Sequence, residues 1–160
     1  IEEICATPTF LAVNAQTNAG NHGFNSIGKY PRADFATLNG NEARLEVRRR
    51  HLDFGDYMPA LRESLGARGL LVTQGASGID IYLDDGEIQN APALAPFVKD
   101  RVGAGDAVLS ATALLTAVGA PPPVVAFVGN MVGAWAVSFL GNERTLDVGE
   151  LKRQITSTLK

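Results

Sequence analysis

The 160-residue chain is 46% hydrophobic and 19% charged, which places it among globular domains large enough to bury a core and against disordered segments. Its formal net charge of -3 gives no basic field for a nucleic-acid backbone, so an anion site would have to be local and built from backbone amides. The single cysteine, Cys5, cannot form an internal disulfide, and without a Cys/His cluster no structural zinc site is expected.

The chain opens at Ile1 with no basic, apolar, small-residue leader, and a cytoplasmic fragment of a longer polypeptide is the expectation. Residues 10–14, Phe-Leu-Ala-Val-Asn, are a short apolar run ending in a polar residue. That is the pattern of a buried parallel strand whose carboxyl end opens into a loop. Residues 15–29 hold Asn18, Asn21, Asn25, Gly20, Gly23 and Gly28, a density of turn formers that predicts an irregular connection with a short helix near residues 24–30. Such a segment is either a solvated surface loop or part of a functional site.

Residues 34–38 read as a second strand, after which Asn39-Gly40-Asn41-Glu42 turns into a helix carrying Leu45, Val47 and the solvated basic run Arg48-Arg49-Arg50. Gly55 and Asp56 interrupt the pattern, with Asp56 as the cap of a further helix in which Met58, Leu61 and Leu65 recur at helical intervals, ended by Gly66. Residues 69–73 are a third strand. Apolar strands separated by mostly helical connections imply a parallel sheet covered on both faces.

Residues 79–83 alternate and, with residues 87–89, flank Asp84-Asp85-Gly86, a hairpin with an Asp-Gly turn. Residues 96–100 read as one more strand. Gly103-Ala104-Gly105 then leads into a helix from Asp106 to about Val118, with Val108, Ala111, Leu115 and Val118 on one face and Gly119 as its stop. After Pro121-Pro122-Pro123 comes an apolar helix over residues 124–140, with Trp135 in the core and small residues that permit close packing. Asn130 in its middle makes this stretch too polar, and it is too short, for a bilayer span, so a buried helix is expected. A last amphipathic helix over residues 148–159 closes a single α/β domain with no internal repeat.

Chemistry concentrates in Asp100-Arg101-Val102-Gly103-Ala104-Gly105-Asp106. Small residues between a strand and a helix let consecutive amides point at one spot, and the positive end of the helix dipole adds to them, so a phosphate fits. The stretch is neither a dinucleotide fingerprint, since Val108 stands where a third Gly belongs, nor a Walker loop, since no Gly-Lys-Ser/Thr follows. On its own it could equally be a tight junction. His22 and His51 are isolated and receive no role.

The same residues resemble the Asp-Thr-x-Gly-Ala-Gly-Asp signature of the ribokinase-like, or PfkB, carbohydrate kinases, with Arg101 in place of the Thr. Asn39-Gly40-Asn41-Glu42 is similar to that family's Asn-x-x-Glu element, and Val72-Thr73-Gln74-Gly75-Ala76-Ser77-Gly78 to its Val-Thr-x-Gly-x-x-Gly turn. Asn130 lies in a helix like the one lining the family's adenine pocket. The run from Asn14 to Gly20 looks most like the heptose-phosphate kinase branch, in which such a kinase domain is joined to a nucleotidyltransferase.

The resemblance implies a three-layer αβα, ribokinase-like (Rossmann-like) fold with a mainly parallel sheet, truncated on its amino-terminal side. It also implies transfer of the γ-phosphoryl of ATP to a hydroxyl of a sugar or sugar phosphate. Asp106 would accept the hydroxyl proton, the amides of Gly103, Ala104 and Gly105 would form the anion hole, and Thr73, Gly75, Gly78 and Asn130 would shape the nucleotide site. Asn39 and Glu42 would sit near Mg2+ and its waters. Taken alone, Glu42 could be only a first-turn carboxylate complementing a helix dipole, Asn130 only a buried amide, and Arg101 either a phosphate ligand or a solvated cation. The implied partners are nucleotide and sugar, with a homodimer mate or a fused nucleotidyltransferase, and neither nucleic acid nor membrane. The family's sugar-binding Gly-Gly element and lid are absent from these residues, so the isolated chain is expected to be a poor catalyst. The rival expectation is a degenerate kinase-like assembly module exposing an unpaired sheet edge.

Overall fold

The unbroken apolar runs of the sequence form the middle of a sheet. In the computed structural model, which describes residues 1–51, 54–84, 86–141 and 143–160 apart from the side chains of Phe54 and Asp56, β2 (Ala33–Asn39) and β3 (Ala67–Thr73) are buried at most positions. Alternate side chains of one strand feed opposite faces, so such a run requires two cores. In β3, Leu70 and Val72 join Leu38, Met58 and Leu61 on one face, while Leu71 joins Phe35, Ile81, Val108 and Val125 on the other. Each fully buried side chain of this size contributes about 1.5–3 kcal/mol.

The five-stranded sheet has the order β1-β2-β3-β4-β5, with β1 at Ala12–Asn14, β4 at Ile79–Leu83 and β5 at Gln89–Ala91. β1, β2 and β3 are parallel, and β4 runs against the rest. Helices α2 (Gly40–Glu46) and α3 (Phe54–Ser64) lie on one face, α4 (Ala104–Ala117) and α5 (Pro122–Ala136) on the other, and α6 (Val148–Thr158) packs on α5. This is the mainly parallel αβα arrangement expected from the sequence. No helix among the described residues is long and apolar enough to cross a membrane. Trp135 is buried as expected, beside Phe139.

Residues 96–100 are a correction, because they form no strand. Pro96 has no amide to offer a ladder, and the amides of Lys99 and Asp100 both donate to the Val137 carbonyl, at 2.7 and 3.2 Å. Val137 caps α5, whose last carbonyls need donors, so this capture ends the helix at Ala136 rather than at residue 140. The short helix in the Asn-rich segment is a single 3-10 turn, Ile27–Lys29. Asp56 lies within α3 rather than before it, and its side chain, like Asp85 of the anticipated hairpin turn, falls outside the described residues.

A small helix, α1 (Glu2–Cys5), is tied to the start of β2 by Arg32. Its guanidinium donates to the carbonyls of Cys5, Thr7 and Thr9 and to the Asp34 carboxylate, which in turn accepts the Leu11 amide at 2.8 Å. Cys5 is thereby 7% exposed. At the sheet's other margin-facing surface, β1 pairs with β2 alone among the described residues, and α4 beside it presents Leu114 and Val118, 72% and 80% exposed.

Candidate functional site

Strands β1, β2 and β3 end at Asn14, Asn39 and Thr73, adjacent in register, with Asn14 opposite Thr37 and Asn39 opposite Thr73. In open α/β sheets the crevice outside these carboxyl ends is where ligands bind. Two helix N-termini open there. α4 begins after Gly103, whose φ of 78° is a left-handed conformation that suits glycine. No side chain caps this helix, and among the described residues the amides of Gly105 and Asp106 meet no acceptor, while that of Ala104 makes a long 3.3 Å bond to Arg101. A Cβ on Gly105 would meet nothing within 4 Å, so the approach to these amides is open. Asp100 anchors the turn, accepting the amides of Val102 at 3.1 Å and Gly141 at 2.8 Å, and these bonds hold its carboxyl below the usual carboxylate range. Arg101 is exposed.

Asp106 stands exposed in the first turn of α4, where its Oδ1 accepts a hydrogen bond from Asn14 Nδ2 at 3.3 Å. Sequence reading assigned Asn14 no role. The signal was present, since a polar residue closing an apolar parallel strand lies where ligands bind.

At the second N-terminus, Asn39 caps α2 and forms a capping box with Glu42. Asn39 Oδ1 accepts the amides of Asn41 and Glu42, while Glu42 Oε2 accepts the Asn39 amide at 2.8 Å. Glu42 Oε1 also accepts the Thr17 amide at 3.0 Å, so the carboxylate pins the Asn-rich loop as well as capping. One helical turn later Glu46, which sequence reading passed over, accepts from Ser26 Oγ and from the amides of Ile27 and Gly28. Inside the loop, the carbonyl of Gln16 accepts the side-chain amides of Asn21 and Asn25. The asparagines therefore satisfy backbone groups that no sheet or helix reaches.

Among the described residues no three His, Cys, Asp or Glu groups cluster to hold a metal ion directly. An ionised carboxylate has about four acceptor positions, and Glu42 spends two on Thr17 and Asn39. What remains suits an ion that keeps its waters, as Mg2+ does. Asn39 has spent its oxygen on backbone amides and retains its Nδ2 donor.

The turn between β3 and β4 carries Thr73, Gly75 and Gly78. Gly78 has a φ of 93°, and a Cβ there would lie 2.0 Å from the Ala91 carbonyl oxygen. That same oxygen accepts Asn130 Nδ2 at 2.7 Å, so the turn, β5 and α5 meet at one carbonyl. Asp80, in the middle of β4, is 6% exposed; it accepts from Gln74 Nε2 and Asn90 Nδ2 and braces the turn. The anion turn, Asp106, Asn39, Glu42 and the Thr73–Gly78 turn thus lie at one end of the sheet.

A family model described as "pfkB family carbohydrate kinase" matches residues 27–147. The chain belongs to this family. Among pfkB relatives, the "Bifunctional protein HldE" of Geotalea uraniireducens is 29% identical over 158 residues, covering 97% of this chain and 31% of that protein. The protein of the same name from Rhodopseudomonas palustris is 32% identical over 129 residues, covering 79% of this chain and 26% of the relative. The chain therefore spans about a third or less of the curated relatives it matches. In fold it is similar to ribokinase from Thermotoga maritima, with TM-score 0.74, 20% identity and coverage of 97% of this chain and 52% of that one. Phosphofructokinase-2 from Escherichia coli gives TM-score 0.72 and 19% identity, covering 92% of this pfkB chain and 47% of the other.

Proposed function

We propose that this chain is the nucleotide-binding and base-bearing half of an ATP-dependent kinase acting on a hydroxyl of a sugar or sugar phosphate. The observation that carries the reading is Asp106 in the first turn of a helix without a side-chain cap, where among the described residues the amides of Gly105 and Asp106 meet no acceptor. The hydroxyl oxygen attacks the γ-phosphorus of ATP, the bond to the β–γ bridging oxygen breaks, and the hydroxyl proton passes to Asp106. The amides of Gly103, Ala104 and Gly105 stabilise charge on the transferring group without reorganising. Thr73, Gly75 and Gly78 shape the nucleotide site, and Asn130 keeps its wall in place through the Ala91 carbonyl. When bound, Mg2+ would neutralise charge on the phosphates; Glu42 would hold it through a water, and Asn39 would sit beside it with its Nδ2 free to donate toward a phosphate oxygen.

On the resemblance of residues 14–20 to the heptose-phosphate kinase branch, the proposed substrate is a heptose phosphate and the proposed covalent partner a fused nucleotidyltransferase, with a homodimer as the alternative, in the cytoplasm. The open edge of β1 and the exposed Leu114 and Val118 of α4 are the surface that an amino-terminal, sugar-binding half would cover. The test compares this chain with the polypeptide from its full reading frame on free and phosphorylated sugars, following ADP and sugar phosphate separately. The longer protein should phosphorylate sugar, and Asp106→Asn should lower its kcat by about 10²–10⁴-fold with little change in ATP affinity. A longer protein inactive across the panel, or a nearly full kcat in Asp106→Asn, would overturn the proposal and favour a non-catalytic assembly module.

A further inference from the structure

We infer that Asn14 is a positioning residue for Asp106, fixing which carboxylate oxygen faces the sugar hydroxyl. The inference rests on the phosphoryl-transfer reading above. Asp106 is exposed on the first turn of α4, with its own rotamers open to it, and a base on such a side chain needs an external restraint. Asn14 is half-buried as the last residue of β1, its backbone held by the ladder opposite Thr37, and α4 packs across β1 and β2. Its Nδ2 donates to Asp106 Oδ1 at 3.3 Å, joining a strand end to a helix start that are 92 residues apart in sequence.

The bond uses Oδ1 and leaves Oδ2 to take the proton when the hydroxyl oxygen bonds to the γ-phosphorus and ADP leaves with the bridging electron pair. An amide suits this task because it donates at every pH and cannot itself take the proton. An aspartate at position 14 would instead place two carboxylates together, and such a pair resists double ionisation. A small misplacement of a reacting group costs up to about 10²-fold in rate, which sets the scale of the expected effect.

The experiment compares wild type, Asn14→Leu, Asn14→Asp, Asp106→Asn and the double variant Asn14→Leu/Asp106→Asn in the full-length polypeptide. Asn14→Leu keeps the branching at Cγ and removes the donor. It should lower kcat about 10–100-fold while leaving KM for ATP and MgADP affinity within about twofold. In the Asp106→Asn background it should change nothing further, because its target is gone. Asn14→Asp should move the acid limb of the kcat/KM profile to higher pH, a shift that a merely structural role would not produce. Independently of activity, the side-chain amide resonances of Asn14, followed by NMR in this chain, should move when Asp106 is replaced by Ala, because the acceptor of the Nδ2 donor is then gone. Additive losses in the double variant, or unmoved Asn14 side-chain amide resonances, would overturn the inference whatever the activity. An inactive wild type with that NMR shift intact would overturn the kinase reading and leave the Asn14–Asp106 pair standing.

Discussion

Replacing Asn130 by Ala separates a structural amide from a ligand contact. Asn130 is 7% exposed, and its Nδ2 meets the Ala91 carbonyl at 2.7 Å, beneath the turn held by Gly78. Truncation leaves that carbonyl without its donor, a loss of about 1–3 kcal/mol, while Ala in place of Asn in mid-helix returns about 0.5 kcal/mol. The net expectation is destabilisation by about 0.5–2.5 kcal/mol, read as a lower urea midpoint at unchanged slope and a Tm lowered by roughly 1–10 °C for a domain of this size. The loss should be local before it is global. β5 is three residues long and among the described residues pairs only with β4, so its amide exchange should accelerate more than that of β2. Asn130→Asp should be worse than Ala, since it sets a carboxylate against a carbonyl oxygen. Unchanged stability in Asn130→Ala would refute this reasoning, because the bond to Ala91 would then contribute nothing to holding β5.

Other outcomes follow from the same geometry. Asp100 has its carboxyl lowered from 3.8 by backbone bonds, so its contribution to stability is complete above that value and disappears as pH falls through the lower folded value; Asp100→Asn should flatten this acid limb in pH-dependent unfolding. Glu46→Ala removes acceptors for Ser26, Ile27 and Gly28 and should speed exchange across residues 26–28 while leaving β3 protected, as hydrogen exchange will show. Gly103→Ala forces a side chain to a φ of 78°, costing about 1–2 kcal/mol, and should weaken MgADP binding in a calorimetric titration.

The sheet and its covering helices were legible because burial on two faces leaves continuous apolar runs, as in Leu70, Leu71 and Val72. What the sequence concealed were captures between distant backbone groups. Nothing local says that Lys99 and Asp100 will donate to Val137, and that one event removes an anticipated strand and shortens an anticipated helix. Asp80 is a further case, buried because its carboxylate meets Gln74 and Asn90 once the turn and β5 have folded. At the candidate site, the glycine turn that opens α4 was readable from spacing because its backbone geometry is local to Gly103–Asp106. Glu42 showed the opposite limit: its motif was legible, but not that one carboxylate both caps a helix and fastens a loop, since Thr17 reaches it only through folding. The Asn14–Asp106 bond likewise depends on α4 settling across β1, which no local pattern specifies.

The Arg32 anchor at the amino terminus gives the protein an internal clock. A single guanidinium gathers the carbonyls of Cys5, Thr7 and Thr9, so those contacts are released together when this anchor detaches. The thiol of Cys5 lies behind that latch and is the only thiol in the chain. With closing faster than labelling, its reaction with a thiol reagent proceeds at the reagent's intrinsic rate multiplied by the fraction of time the latch is open. A colourless, native side chain thus reports how often the first strand's approach to the sheet comes undone, separately from events at the carboxyl ends of the strands.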